Sequence, residues 1–121
     1  MVGVGIDVVD VPRFRTVLER TPGLAMKVFT PGERDYAEAR HDPAPSLAVR
    51  FAAKEATMKA LGVGIGAFGF HDVEVTRDGS GAPRLVVSGA AAALATERGV
   101  TGWKVSLSHT CAVATAIVVA E

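Results

Sequence analysis

The chain has 121 residues, 49% of them hydrophobic, which favours one compact domain spanning residues 1–121. Basic and acidic residues number 13 each, so the formal net charge is zero and no overall basic field predicts a nucleic-acid partner. The apolar run from Cys111 to Ala120 has about half of the ~20 residues that span a bilayer, and the N-terminus lacks a secretory signal, so we expect a soluble cytoplasmic protein without a membrane partner.

The first predicted strand has two unlike faces, because side chains alternate with a period of two residues. One face consists of Val2, Val4, Ile6 and Val8. The other consists of Gly3, Gly5 and Asp7, which is bare backbone ending in a carboxylate. Glycines there would let a ligand or another backbone come close, and Asp7 offers oxygen ligands of the kind that Mg²⁺ prefers. Asp7 could instead cap a turn before Asp10.

Four helices are predicted next, over residues 10–20, 24–29, 30–40 and 46–61. Asp10 is the expected cap of the first helix. The expected buried side of this first helix consists of Phe14, Val17 and Leu18. Thr30 and Glu33 have the spacing of a capping box, Ser46 is the expected cap of the long helix, and Gly62 ends it.

Strands dominate the second half of the chain. Residues 71–77 and 83–88 alternate around a turn at 78–81, which predicts a hairpin. An alanine-rich helix over 89–98 and two strands over 103–108 and 112–119 complete the chain. Helices followed by antiparallel strands predict an α+β fold. The single cysteine, Cys111, excludes an intrachain disulfide and is expected to be a core residue.

Glu55 is the second acidic residue in an unusual place. At ~100° per residue it falls on the apolar side of the long helix, between Phe51 and Met58. A carboxylate in that position needs a cation. An ion pair with Lys59 at i,i+4 is the alternative, but such a pair contributes only ~0.3–0.5 kcal/mol when exposed and does not explain the apolar setting. Asp7 and Glu55 together suggest a site for a metal ion and a phosphate.

Three motifs in this order carry a resemblance to a known family. They are Gly5-Ile6-Asp7, Arg50-Phe51-Ala52-Ala53-Lys54-Glu55-Ala56 followed by Lys59, and Ser106-Leu107-Ser108-His109-Thr110. With these motifs at these spacings, the chain resembles the holo-[acyl-carrier-protein] synthases, the small class of 4'-phosphopantetheinyl transferases, over nearly its whole length. The resemblance implies transfer of 4'-phosphopantetheine from coenzyme A to a serine of an apo acyl carrier protein, releasing adenosine 3',5'-bisphosphate.

The resemblance also implies roles for particular residues. Asp7 and Glu55 would hold Mg²⁺, and Lys59 would meet the phosphates as a point charge. Coenzyme A would lie between adjacent subunits of a homotrimer, with Ser108 and His109 contributed by the neighbour. Further candidates for coenzyme A contacts are Arg50, Lys54, Gly62 and Pro83. Gly62 opens a glycine-rich loop that lacks the GK[ST] ending of a P-loop, so a flexible helix cap is its alternative role.

The resemblance also makes the first helix the expected docking surface for the carrier protein. Its solvent side carries Arg13, Arg15 and Arg20, and acyl carrier proteins are typically acidic. A solvated helix face is the alternative.

Two other function classes remain open on the sequence. One is a coenzyme A or nucleotide-binding module without turnover, and the other is a small thioester hydrolase. A Ser106 and His109 hydrolase is disfavoured, since no G-x-S-x-G motif is present. The general base is unassigned: a metal-bound water, Glu55 or a partner residue could serve, and Thr110 stands where some relatives carry an acid.

Overall fold

The computed structural model describes all 121 residues and confirms the α+β class with antiparallel sheets. The strands are β1 Gly3–Asp10, β2 Val73–Arg77, β3 Pro83–Val87, β4 Trp103–His109 and β5 Val113–Ala120. The helices are α1 Val11–Arg20, α2 Leu24–Val28, α3 Pro31–Glu38, α4 Pro43–Ala60 and α5 Gly89–Glu97, with a 3₁₀ turn at Phe70–Asp72. None of these helices is both long enough and apolar enough to cross a membrane.

The strands form two antiparallel sheets. A three-stranded sheet has the order β1-β5-β4, so the last strand of the chain lies between the first strand and β4. The hairpin of β2 and β3 forms a separate two-stranded sheet. Helix α4 packs across the inner face of the larger sheet, where Ala52, Ala56, Ala116 and Val118 are buried.

The glycine face of β1 lies against α4. A Cβ atom added to Gly5 would lie 1.9 Å from the carbonyl oxygen of Ala56, and one added to Gly3 would lie 2.0 Å from that of Ala60. No side chain fits at such distances. The glycines were predicted to admit either a ligand or another backbone, and the structure shows that they admit the backbone of α4. On this face of β1, Asp7 lies beyond the part that α4 covers.

The opposite face of the same sheet is apolar and open to solvent. Ile6 and Val8 are 58% and 63% exposed, and Ile117 on the neighbouring strand is 40% exposed. Contiguous apolar surface of this kind is typical of a protein interface.

Several sequence predictions are corrected by the fold. Helix α4 begins at Pro43, earlier than predicted, because Asp42 caps it by accepting a hydrogen bond from the Ala44 amide. Ser46 lies inside the helix, where its hydroxyl accepts a hydrogen bond from Arg50. Val17 is 42% exposed, because it borders a cleft instead of the core. Cys111 is exposed, because it lies in the turn between β4 and β5.

Candidate active site

Asp7, Glu55 and Lys59 come together where the middle of β1 meets the C-terminal part of α4. Glu55 and Lys59 are one helical turn apart, so both can face β1. The Lys59 ammonium lies 3.1 Å from Oδ1 of Asp7 and donates to the carbonyl of Ile6 at 3.0 Å. Lys59 therefore pairs with the strand, and the alternative of a simple Glu55–Lys59 helix pair is wrong.

This cluster has an excess of negative charge. Burial raises the pKa of Glu55, and the charge of Asp7 raises it further, while Lys59 lowers it. Two carboxylates share one ammonium group, so the cluster favours an additional cation. Its donors are hard carboxylate oxygens, which suit Mg²⁺. No group of three or more acidic, histidine or cysteine side chains lies together, so any such ion would complete its shell from water and substrate oxygens.

A cleft of about 710 Å³ leads away from Asp7 and Glu55. Its floor is aromatic: the rings of Phe14 and Phe51 have centroids 5.4 Å apart, and those of Phe51 and Phe70 are 5.8 Å apart. Arg13 and Lys27 border the cleft and are exposed. The cleft thus joins an acidic end, an apolar floor and a basic rim.

Arg50 lies on a different flank of α4 from Glu55. Five positions at ~100° each place the two side chains about 140° apart around the helix axis. Arg50 is 1% exposed and donates to the Ser46 hydroxyl at 2.8 Å. It lines a pocket of about 250 Å³ together with Tyr36, Arg77 and His109.

The other residues predicted to contact coenzyme A also divide between these flanks. Pro83 pairs with Arg77 in the hairpin, and Ser108 precedes His109 at the end of β4, where the two side chains point to opposite faces of the sheet. Gly62 has a φ of +72°, a value that favours glycine, and it lines a small cleft beside Lys59. Asp7, Glu55, Lys59 and Gly62 therefore lie on one flank, and Arg50 and His109 line one pocket on the other. Pro83 and Ser108 lie outside that pocket, next to its residues Arg77 and His109.

Lys54 has a structural position, so its prediction as a contact to coenzyme A is wrong. Its side chain is fully buried, and its ammonium lies 2.7 Å from Oε1 of Glu33. It also donates to the carbonyls of Phe70 and Val73, while Glu33 accepts from the Val75 amide. Burial lowers the pKa of Lys54, and Glu33 counters that effect. The pair joins α3, α4 and β2.

The arginines of α1 are not equivalent. Arg13 and Arg20 are exposed, and neither forms an ion pair. Arg15 pairs with Asp42, the cap of α4. Only Arg13 and Arg20 are thus unpaired on this face of α1.

Residues 3–115 of the chain match the 4'-phosphopantetheinyl transferase superfamily. A holo-[acyl-carrier-protein] synthase of Streptomyces avermitilis is 52% identical over 121 residues, covering 100% of this chain and 98% of that protein. The chain belongs to the 4'-phosphopantetheinyl transferase superfamily. The resemblance drawn from its three motifs is confirmed, and so is the expectation that it is an enzyme of the holo-[acyl-carrier-protein] synthase class.

Solved structures of the superfamily share the fold. The crystal structure of a holo-[acyl-carrier-protein] synthase from Neisseria meningitidis has a TM-score of 0.90 and 32% identity, covering 100% of this chain and 98% of that one. A holo-(acyl-carrier-protein) synthase from Bacillus anthracis in complex with CoA (3',5'-ADP) has a TM-score of 0.80 and 33% identity, covering 97% and 93%. The likeness therefore extends over nearly the entire length of each chain.

Sequence reasoning did not find the arginines beside Arg50. Arg40 and Arg77 belong to no motif, and they meet only because α3 and the β2–β3 hairpin pack on the same side of α4. A signal was present at Arg50 itself, since an arginine between Val49 and Phe51 in a helix of small apolar residues needs polar partners.

Proposed function

We propose that this protein transfers 4'-phosphopantetheine from coenzyme A to a serine of an apo acyl carrier protein in a Mg²⁺-dependent reaction, releasing adenosine 3',5'-bisphosphate. The observation that carries the proposal is the meeting of Asp7, Glu55 and Lys59 at the acidic end of an apolar cleft. The likeness to a relative in complex with CoA (3',5'-ADP) supports the choice of donor.

The residues of the acidic end suit attack of a serine hydroxyl on the β-phosphorus of a pyrophosphate. Asp7 and Glu55 would hold Mg²⁺, which when bound supplies a Lewis acid for the pyrophosphate oxygens. Lys59 is 54% exposed and tied to Asp7 by a single contact, so its ammonium is available to balance charge on the leaving phosphate. Gly62, in the small cleft beside Lys59, gives the pyrophosphate access to bare backbone. Catalysis then rests on positioning and charge stabilisation.

The residues predicted to contact coenzyme A do not all lie on the flank of Asp7 and Glu55, which favours a site shared between subunits. Asp7 and His109 lie on the two outer strands of the sheet, so β5 separates their backbones by about 10 Å. We propose a homotrimer in which Asp7, Glu55 and Lys59 of one subunit face Arg50, Pro83, Ser108 and His109 of its neighbour. The exposed apolar face around Ile6 and Ile117 provides surface for that association.

Carrier-protein docking is proposed at α1. Arg13 and Arg20 are exposed and unpaired, and Arg13 and Lys27 border the cleft that leads to Glu55. An acidic carrier would be steered there by charge, which would bring its serine towards the acidic end. Arg15 is engaged with Asp42, so we assign it a structural part in fixing α1.

Mass spectrometry of the carrier tests the proposed activity. The protein is incubated with coenzyme A, Mg²⁺ and an apo acyl carrier protein, with Glu55→Ala as the matched control. We expect the carrier to gain one phosphopantetheine with wild type only, and chelation of Mg²⁺ to stop the reaction reversibly. An unmodified carrier despite measurable coenzyme A binding would indicate a binding module, and free thiol released from an acyl-coenzyme A would indicate a thioester hydrolase.

A further inference from the structure

Helix α2 is a short helix at the rim of the cleft. It has five residues, follows Gly23 in the left-handed conformation and has no side-chain cap at its start. A helix of that length is not stable in isolation, so contacts from other segments must fix it. Val28 is its buried residue, with Leu24 and Ala25 partly buried beside it. Because hydrophobic burial is non-directional, these contacts do not by themselves set the orientation of so short a helix.

His71 supplies a directional contact to α2. Its Nε2 donates to the carbonyl of Met26 at 2.9 Å. That carbonyl lies in the last turn of the helix, where carbonyls lack an intrahelical partner. The amide of Thr30 would reach it in a longer helix, but it donates to Glu33 instead. The bond from His71 is the one side-chain hydrogen bond that residues 24–28 form, so it fixes α2 against the turn that contains His71.

This contact joins two walls of the cleft. Phe70, directly before His71, lies in the aromatic floor, and three residues of α2 line the cleft, Lys27 among them. Lys27 is exposed and forms no ion pair, so no carboxylate of the chain neutralises its ammonium group. Arg13 borders the same cleft from α1. The position of α2 therefore sets the spacing between the two cations.

We propose that His71 is a positioning residue that holds α2 so that Lys27 and Arg13 form one basic rim for the carrier protein. The proposal rests on the proposed function, in which an acidic carrier is steered to this rim. His71 does not line the cleft itself, so it acts through the helix it holds. A fixed pair of cations binds a matching pair of carboxylates more tightly than a mobile pair, because ordering a mobile group on binding costs affinity.

Amide hydrogen exchange tests the contact without a carrier protein. The amides of Lys27 and Phe29 bond to the carbonyls of Gly23 and Ala25. His71→Ala should speed their exchange about three- to tenfold, the effect of losing one hydrogen bond, and leave exchange in α4 unchanged. His71→Gln should retain the protection, because its side-chain amide donates from about the position of Nε2. Exchange in His71→Ala equal to that of wild type would overturn the proposal.

Transfer kinetics measure the consequence for the carrier. His71→Ala should raise the KM for the carrier protein about three- to tenfold, with kcat and the KM for coenzyme A little changed. Because His71 acts through Lys27, the double variant with Lys27→Ala should be no worse than Lys27→Ala alone. His41→Ala, at an exposed position outside the cleft, is the matched control and should behave as wild type.

Two kinetic results would also overturn the proposal. One is a loss in kcat with the KM for the carrier unchanged, and the other is full additivity of His71→Ala and Lys27→Ala. A wild type that modifies no carrier would refute the transferase activity, whereas faster exchange in His71→Ala would still show that His71 holds α2.

Discussion

At Glu55 a carboxylate lies beside a second carboxylate in partly buried surroundings. Burial and the charge of Asp7 raise its pKa. A raised pKa means that the folded state binds this proton more tightly than the unfolded chain does. Ionised Glu55 therefore lowers the stability of the folded state at neutral pH when no cation is bound. A cation bound between Asp7 and Glu55 should remove that destabilisation.

Glu55→Gln should therefore make the protein more stable and inactive. Without Mg²⁺ at neutral pH, we expect a higher Tm than that of wild type, because the amide removes both the cost of partly burying a charge and the repulsion from Asp7. The gain should disappear as the pH falls below the ordinary glutamate value of 4.5, where the carboxyl group is protonated in both states. Thermal unfolding followed by circular dichroism measures this, and a Tm at or below that of wild type at neutral pH would contradict it.

Lys54→Met should be destabilising by about 3–5 kcal/mol, because it leaves the carboxylate of Glu33 buried without its cation. Urea unfolding measures the loss. The double variant Glu33→Gln with Lys54→Met should recover part of it, since no charge then remains unpaired. A single variant as stable as wild type would mean that the buried pair does not hold α3 and β2 against α4.

Candidate site residues could be predicted from the sequence where a charged side chain stood at a position that the local pattern reserves for a small or apolar one. Asp7 ended a glycine face and Glu55 interrupted an apolar stripe, and the fold brings both to one cleft. Lys54 is adjacent to Glu55 in the same motif, yet it points into the core, because one step of ~100° around α4 changes which element it meets. That outcome depends on how α3 and β2 pack, which the sequence pattern of α4 does not contain.

Among the elements, α1 has the most direct bearing on the partner. It carries exposed Arg13 and Arg20 over a packed Phe14, and its Arg15 is tied to the start of α4 through Asp42. Packing of Phe14 and the Arg15–Asp42 pair hold such a helix in place, while its exposed arginines present positive charge to a partner.

Reversal of Arg13 and Arg20 to glutamate should raise the KM for the carrier protein roughly tenfold at low salt and flatten its salt dependence. The affinity for coenzyme A should change much less than the KM for the carrier, because Arg20 lies in neither pocket and Arg13 only borders the cleft of Asp7 and Glu55, at an exposed position. Steady-state kinetics across ionic strength measure this, with Lys104→Glu on β4 as an exposed control. Carrier kinetics that do not respond to the reversal would place docking on another surface.

Element types and order were predictable from periodicity and capping residues, and boundaries were less so. The capping box of Thr30 and Glu33 forms as predicted. Helix α4 starts earlier than predicted because Asp42 caps it and Pro43 occupies its first turn, where a proline needs no amide partner. Val17 was assigned to the core from helix periodicity alone, but it borders the cleft and is 42% exposed, whereas the neighbouring Leu18 packs against the core.

At the scale of the molecule, Glu55 and Arg50 lie on different flanks of α4, so the residues of the sequence motifs do not all line one cleft. Helix α4 covers the glycine face of β1, and the apolar face around Ile6 and Ile117 stays open. Association of copies through that face would bury it and would let the acidic end of one subunit meet the Arg50 pocket of another. The two flanks are visible only in the folded chain, whereas the subunit arrangement was implied by family resemblance and remains a proposal.

Mixing two inactive variants tests the shared site most directly. Glu55→Ala removes a residue of the acidic end, and His109→Ala removes a residue of the opposite flank. After subunit exchange, a mixed trimer contains some sites with both residues intact, so we predict that the mixture transfers phosphopantetheine although each variant alone does not. Two results would contradict the shared site. One is a mixture that stays inactive although subunit exchange has been demonstrated, and the other is full wild-type activity in a protein that sediments as a monomer.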